Sequence, residues 1–326
     1  MMFPDDLPGT LDAVRAAPSP AVAALEGPLA KVSRSPAELL GILGHAPLRP
    51  DGVKLDRWAW HPLTRRTEQF AILDRYFGVF RVAAGAPEMF GHSAAIAYRT
   101  LLADTVEFGT DLDAAQWNEL CGGLEAAIRF AGGSRRAGAP QFAVPSGYRP
   151  RDPHRRWRSG HQVFFPLIQA ILVGLRCLAA AILAADGDGA KESAVFTTEV
   201  MRASARALEY AADFSPAAYA REVRPSMTPP GTPQGLSGLM SADHHRMIGC
   251  FHEIRPLVAH LEGELGAFFA EFVRSAEDTY AAHVHVCDRF NGNRVVSLRM
   301  SHSNSMTASD VLAQMGRARV RMLRPT

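Results

Sequence analysis

The stretch Asp113-Ala-Ala-Gln-Trp-Asn-Glu-Leu-Cys-Gly-Gly-Leu-Glu-Ala-Ala-Ile-Arg-Phe130 decides the fold class. Trp117, Leu120, Cys121, Leu124, Ala127 and Ile128 recur at three- and four-residue steps, the mark of a helix with one apolar face. Thr110, with Asp113 three residues on, is the expected N-cap. Phe70, Leu73, Tyr76, Phe77 and Phe80 trace a second face of the same period. The same reading predicts helices over about 88–106, 155–185, 190–212, 241–262 and 266–288. Alternating β-branched runs are scarce, Val295–Leu298 being the best of them, and no internal repeat or glycine-rich phosphate loop is visible. The expected fold is an all-α helical bundle.

Two stretches interrupt the helical pattern. Gly132 to Pro153 is rich in Gly, Pro and Arg and reads as a long surface loop. Arg224-Pro-Ser-Met-Thr-Pro-Pro-Gly-Thr-Pro-Gln-Gly-Leu-Ser-Gly238 reads either as a lid or binding loop or as a rigid connector between bundle halves. Both fit inside one domain, so residues 1–326 are expected to form a single helical domain whose first 80 residues are a variable part.

The composition, 47% hydrophobic and 21% charged, is that of a globular protein with a sizeable core. A net charge of +2 gives no reason to expect nucleic acid as a partner. The four cysteines are scattered without a CxxC pair, which points away from a disulfide framework and toward a reducing cytoplasm. The opening Met-Met-Phe-Pro-Asp-Asp does not read as a signal peptide. Phe164 to Ala185 is the most apolar run, but Pro166, Gln169 and Arg176 within it favour a buried central helix over a membrane span.

Six of the twelve histidines lie between His244 and His285. In Ala281-Ala-His-Val-His-Val-Cys287, a helix would set His283 and Cys287 on one face with Cβ atoms about 5–6 Å apart. One side chain would then reach a metal while the other reached the edge of a surrounding macrocycle. In a strand, His283, His285 and Cys287 would share a face instead. The preceding Ser275-Ala-Glu-Asp-Thr-Tyr-Ala-Ala favours the helix. Spacing alone leaves a plainer reading open: a helix with one satisfied histidine and a buried thiol.

Gly263 and Gly266 bracket the midpoint between His244 and His283, so a helical hairpin turning there returns both imidazoles to one level. Its helices must splay beyond the close-packed separation of about 8–10 Å to admit a macrocycle, and Pro256 should kink or break the first of them. Zinc would want three or four compact ligands, and neither HExxH nor a Cys pair is present. CxxCH is absent too, although a single cysteine can still form one thioether to a haem vinyl group.

The pattern His244, then His283-x-x-x-Cys287, resembles that of the histidine-ligated haem aromatic oxygenases, in particular the 3-methyl-L-tyrosine hydroxylase branch of saframycin biosynthesis. The resemblance extends, in order, through Gly109-Thr-Asp-Leu-Asp-Ala-Ala-Gln-Trp117 with Gly122-Gly123, Arg156-Trp-Arg-Ser-Gly-His-Gln-Val-Phe164 and Arg224-Pro-Ser-Met-Thr-Pro-Pro230. Ser237-Gly-Leu239, Asp243-His244 and Glu277-Asp-Thr-Tyr280 continue it. It covers about residues 85–300 and is more distant from tryptophan 2,3-dioxygenase. It implies an all-α fold related to those oxygenases, with a c-type haem held by one thioether to Cys287 and by axial His244 and His283. The implied reaction is a monooxygenation placing one oxygen ortho to the phenol of a tyrosine-like amino acid, with peroxide or O2 plus a reductant, in natural-product biosynthesis. The rivals are a tryptophan-type ring-opening dioxygenase and a non-enzymatic bis-histidine haem protein. His245 and His285 are extra imidazoles that would compete as ligands, though His285 should face elsewhere.

Further candidates follow from position and chemistry. His161, opening the most apolar helix, is a candidate general base on a phenol or hydrogen-bonding partner of an iron-bound oxygen, the plainer reading being a capping or core histidine, and His92 in Phe90-Gly-His-Ser is a second catalytic candidate. Arg156 and Arg158, with Arg155 beside them, are candidates for the haem propionates, and Arg224 for the substrate carboxylate. No membrane partner is expected, and a homodimer is compatible with the sequence.

Overall fold

A computed structural model describes residues 1–16, 20–31, 35–46, 55–56, 64–82, 88–134, 141–232, 236, 240–291 and 307–324. The structure is organised around α7 (Pro153–Leu183). Asp152 caps it by accepting from the Arg155 N–H at 3.0 Å, and Pro153 sits where its missing N–H costs nothing. At 1.5 Å per residue, its 31 residues run about 46 Å. Helix α7 is long and apolar enough to cross a membrane, yet it is the central helix of the bundle and is largely buried there. Its polar residues serve as ties: Gln169 donates to Asp243 and to the Met2 carbonyl, both at 2.8 Å, and Arg176 donates to the Leu7 carbonyl.

Around it pack α4 (Arg65–Phe77), α5 (Met89–Phe108), α6 (Ala114–Gly132), α8 (Gly187–Ala211) and α11 (Ala242–Val258). The shorter α1 (Leu11–Arg15), α2 (Pro20–Lys31) and α3 (Pro36–His45) lie against α5 and α6. Small residues let α8 come close: a Cβ on Gly160 would sit 2.3 Å from the Ala211 Cβ, and one on Gly123 2.2 Å from the Ala203 Cβ. Helix α12 (Gly263–Asn291) packs on α8, and α13 (Ala308–Leu323) packs against both α11 and α12. Two short turns, α9 (Pro216–Ala218) and α10 (Arg224–Ser226), flank a π-helical segment, Tyr219–Val223. The strands β1 (Leu55–Asp56) and β2 (Arg81–Val82) pair antiparallel, with Leu55 opposite Val82. One apolar core runs from α1 to α13, and a smaller aromatic cluster forms around Phe77, Phe165, Phe214 and Tyr219.

The fold is all-α, as the helical period requires. Three local expectations are corrected. Asp113, not Thr110, caps α6, in a capping box with Gln116, because the Thr110 hydroxyl is drawn to Asp213 at 2.8 Å. Pro256 does not break α11: it falls in the last turn, two residues before the helix ends, where few i→i−4 bonds remain to lose. The proline-rich stretch begins as helix, since Arg224–Ser226 continues the turn before it. Gly263, at φ +62°, opens α12 after the bend, where the hairpin was expected. Val295–Leu298 lies outside the described residues.

Candidate active site

Helix α12 presents Thr279, Tyr280, His283 and Cys287 at three- and four-residue steps, one face of one helix, and this face lines a pocket. The segment 281–287 is therefore helical, and the strand alternative falls. His244 reaches the same pocket from the first turn of α11. That turn is pinned: the Ser241 hydroxyl accepts from the His244 N–H, and neighbouring Asp243 is fully buried. Asp243 accepts from both terminal nitrogens of Arg81, at 3.0 and 2.8 Å, and Arg81 also grips Asp74. A bidentate buried pair of this kind fixes orientation as well as charge.

The pocket lies where the main core meets the aromatic cluster. Met201, Met247 and Ile168 of the main core and Phe77, Phe165 and Tyr219 of the aromatic cluster all line it. Its cavity volume is about 170 Å³, partly open, below the roughly 300–1,000 Å³ of ordinary ligand sites. Helix α13 contributes Ala308, Val311, Leu312 and Arg319, so the helices carrying His244 and His283 are splayed with a third between them.

Burial sets the charge states. It drives the His283 imidazole down to about 4, with the Arg319 cation adding to the effect, and His161 likewise to about 4. His244 is pushed well below the usual histidine range, first by burial and then by Arg319 and His283. All three are neutral at pH 7 and offer lone pairs. Burial raises the Cys287 thiol to about 11, so it stays protonated. His161 stacks on Phe77, with centroids 4.1 Å apart, and bonds through Nδ1 to the Trp157 carbonyl at 2.8 Å. A carbonyl only accepts, so Nδ1 carries the proton and Nε2 is left as an acceptor. By the same logic His244 Nε2 accepts from the Arg319 guanidinium at 3.2 Å.

Two polar atoms in the wall, Trp157 Nε1 and Tyr280 Oη, are buried without a hydrogen-bond partner. Such groups are costly unless something else satisfies them. Arg224 and Arg319 line the pocket, and among the described residues no Asp or Glu does. Among the described residues, no three or more His, Cys, Asp or Glu side chains converge as a metal cluster. A metal at His244 and His283 would take its other donors from its own ligand, as iron does in a porphyrin. Neutral imidazoles, a protonated thiol one turn from His283, orphaned donors and apolar walls all fit such a group.

The structure thus brings together His244, His283, Cys287, His161 and Arg224. It does not bring in Arg156, which is a correction: its guanidinium is 1% exposed and committed to Asp104, Asp213 and the Gly109 carbonyl. Its charge is already matched by two carboxylates, and it is not part of the pocket wall. Arg158 is exposed and outside the pocket wall, and Arg155 pairs with Asp104 and Glu107. His92 is buried in the first turn of α5, also outside the wall. His245 bonds Arg66 through Nε2 on the outer side of α11, and His285 is exposed, so neither competes for the pocket. Arg319, Tyr280, Trp157 and the Arg81–Asp243 clamp were missed by sequence reasoning. Tyr280 was legible, three residues before His283; Arg319 had no signal, because no motif marks its helix.

An all-helical fold around a largely apolar pocket, into which imidazoles, a thiol, hydroxyls and two arginines converge, has the make-up of an enzyme site. The family model described as SfmD 3-methyl-L-tyrosine peroxygenase matches residues 1–267. A 3-methyl-L-tyrosine peroxygenase of Streptomyces lavendulae is 30% identical over 339 residues, covering 98% of this chain and 89% of that protein. The crystal structure of reduced SfmD, soaked with sodium hydrosulfite, aligns at a TM-score of 0.71 and 29% identity, covering 88% of this chain and 96% of that one. The chain belongs to the SfmD 3-methyl-L-tyrosine peroxygenase family and is an oxidoreductase. The likeness begins at residue 1, so it is wider than the span 85–300 read from motifs. The family-model match ends at residue 267, in the opening turn of α12, so His283 and Cys287 lie beyond it, while the Streptomyces lavendulae relative matches 98% of the chain.

Proposed function

We propose that this chain is a haem-dependent peroxygenase that hydroxylates a tyrosine-like amino acid ortho to its phenol, in a natural-product pathway in the cytoplasm. The observation that carries this reading is the convergence of His244, His283 and Cys287 on a pocket that also holds His161. His244 and His283 would hold the iron of a c-type haem, and the Cys287 thiol would add across one vinyl group, its sulfur bonding to carbon and its proton going to the neighbouring carbon. Bound haem supplies an iron centre that draws one oxygen atom from peroxide, or from O2 with a reductant, for insertion into the ring. His161 presents Nε2 to the phenol hydroxyl and accepts a hydrogen bond from it, orienting the ring and drawing electron density toward the ortho carbon. Phe77, Phe165 and Tyr219 exclude water and hold the ring, while Arg224 receives the carboxylate.

The test is mass spectrometry of a tyrosine or 3-methyltyrosine incubation with 18O-labelled peroxide. Incorporation of one labelled oxygen with the ring intact is expected. Two oxygens and an opened ring would assign the tryptophan-type dioxygenase instead. No product from a protein whose haem stays intact would assign electron transfer or sensing.

A further inference from the structure

Among the described residues, three arginines are nearly inaccessible to solvent. Arg81 is 2% exposed and holds two carboxylates, Asp74 and Asp243. Arg156 is 1% exposed and also holds two, Asp104 and Asp213. Arg319, at 9%, holds none among the described residues: its contacts are His244 Nε2 at 3.2 Å and the Tyr280 ring, 5.5 Å from guanidinium carbon to centroid. A buried guanidinium without a counter-ion is unfavourable, and a neutral imidazole is a poor substitute for a carboxylate. The buried Tyr280 hydroxyl lies within the guanidinium's influence and has no acceptor for its own proton. Both groups line a pocket that has no acidic residue among the described residues of its wall. A carboxylate would satisfy the cation and the hydroxyl together.

We propose that Arg319 and Tyr280 form a carboxylate-anchoring site, engaging either a propionate of the macrocycle or the α-carboxylate of the amino acid. The propionate source rests on the haem reading above; the amino-acid source does not. On the first, a His244 Nε2 that held iron would no longer accept from the guanidinium, leaving that cation for the carboxylate. Helix α13 thereby becomes part of the binding machinery rather than a lid over it.

The experiment compares acid ligands with their carboxylate-free counterparts. Apoprotein is titrated with haem and with haem dimethyl ester, followed by absorbance; the protein as isolated is titrated with L-tyrosine and with tyramine, followed by calorimetry. Arg319→Gln is expected to weaken one acid about tenfold or more while leaving its counterpart unchanged, the scale of a charged hydrogen bond. Loss on haem but not its ester identifies the propionate; loss on tyrosine but not tyramine identifies the amino acid. Arg319→Lys, which keeps the charge, is expected to retain most of the affinity and so separates lost charge from lost fold. Equal binding by Arg319→Gln and wild type in both arms, or equal loss of acid and counterpart, overturns the proposal. A wild-type chain that takes up no haem would strike the haem reading, and the tyrosine arm would still decide Arg319.

Discussion

At the scale of single residues, the pocket separates side chains by whether the protein has already used them. Arg156 looked as promising as Arg224 in the sequence, yet its partners Asp104 and Asp213 arrive from α5 and from the turn after α8. No local pattern announces partners about fifty residues away, so its role was illegible. His283 and Cys287 were legible because their relation is one helical turn. Cys287→Ala is expected to convert haem that resists acidified organic solvent into extractable haem, with the polypeptide mass falling by one haem. Full extraction from the wild type would remove the thioether from the reading. His161→Phe keeps a ring stacked on Phe77 but deletes the acceptor. It should bind substrate with little change and lose about 100-fold or more in kcat, the low end of acid–base contributions. Unchanged turnover would show that His161 serves only to pack.

At the scale of elements, the helical period placed α5 to α8, α11 and α12 to within a few residues, because each buries one continuous stripe. It misplaced the start of α6 because Thr110 is recruited by Asp213, a tertiary contact outweighing a local capping pattern. It missed α13 altogether, whose apolar face has meaning only against α11 and α12. The adjacent glycines of α6 show how closely the elements are fitted. A Cβ on Gly123 would strike Ala203 of α8, whereas one on Gly122 meets nothing within 4 Å. Gly123→Ala is expected to destabilise by about 1–3 kcal/mol through overpacking. Gly122→Ala should be neutral or stabilising by up to about 1 kcal/mol through helix propensity. Urea midpoints measure both, and equal effects at the two positions would contradict the α6–α8 approach.

For the whole molecule, burying several neutral imidazoles in one pocket ties stability to pH. His161 and His283 sit near 4 in the fold against 6.5 for the free side chain, and His244 is lowered further. Between those limits the unfolded chain binds more protons than the folded one, so stability falls as pH drops from 6.5 towards 4 and is fully present above that window. Each imidazole contributes roughly 1.4 kcal/mol per pH unit while it titrates. The urea midpoint of the apoprotein should therefore drop steeply from pH 6.5 to 4.5, and His161→Phe should make the slope shallower. A flat profile would mean that these imidazoles are not held neutral.

The seating of α13 against both histidine-bearing helices has a further consequence, for the order in which the molecule is made. A ribosome delivers chains from the N-terminus, and segments pack as they emerge. Every other wall of the pocket, from Phe77 to Cys287, precedes Ala308 in the chain. For a time during synthesis the nascent protein is a nearly finished cavity with one side missing. A bulky, rigid guest enters through that side most easily before the last helix arrives to shut it in.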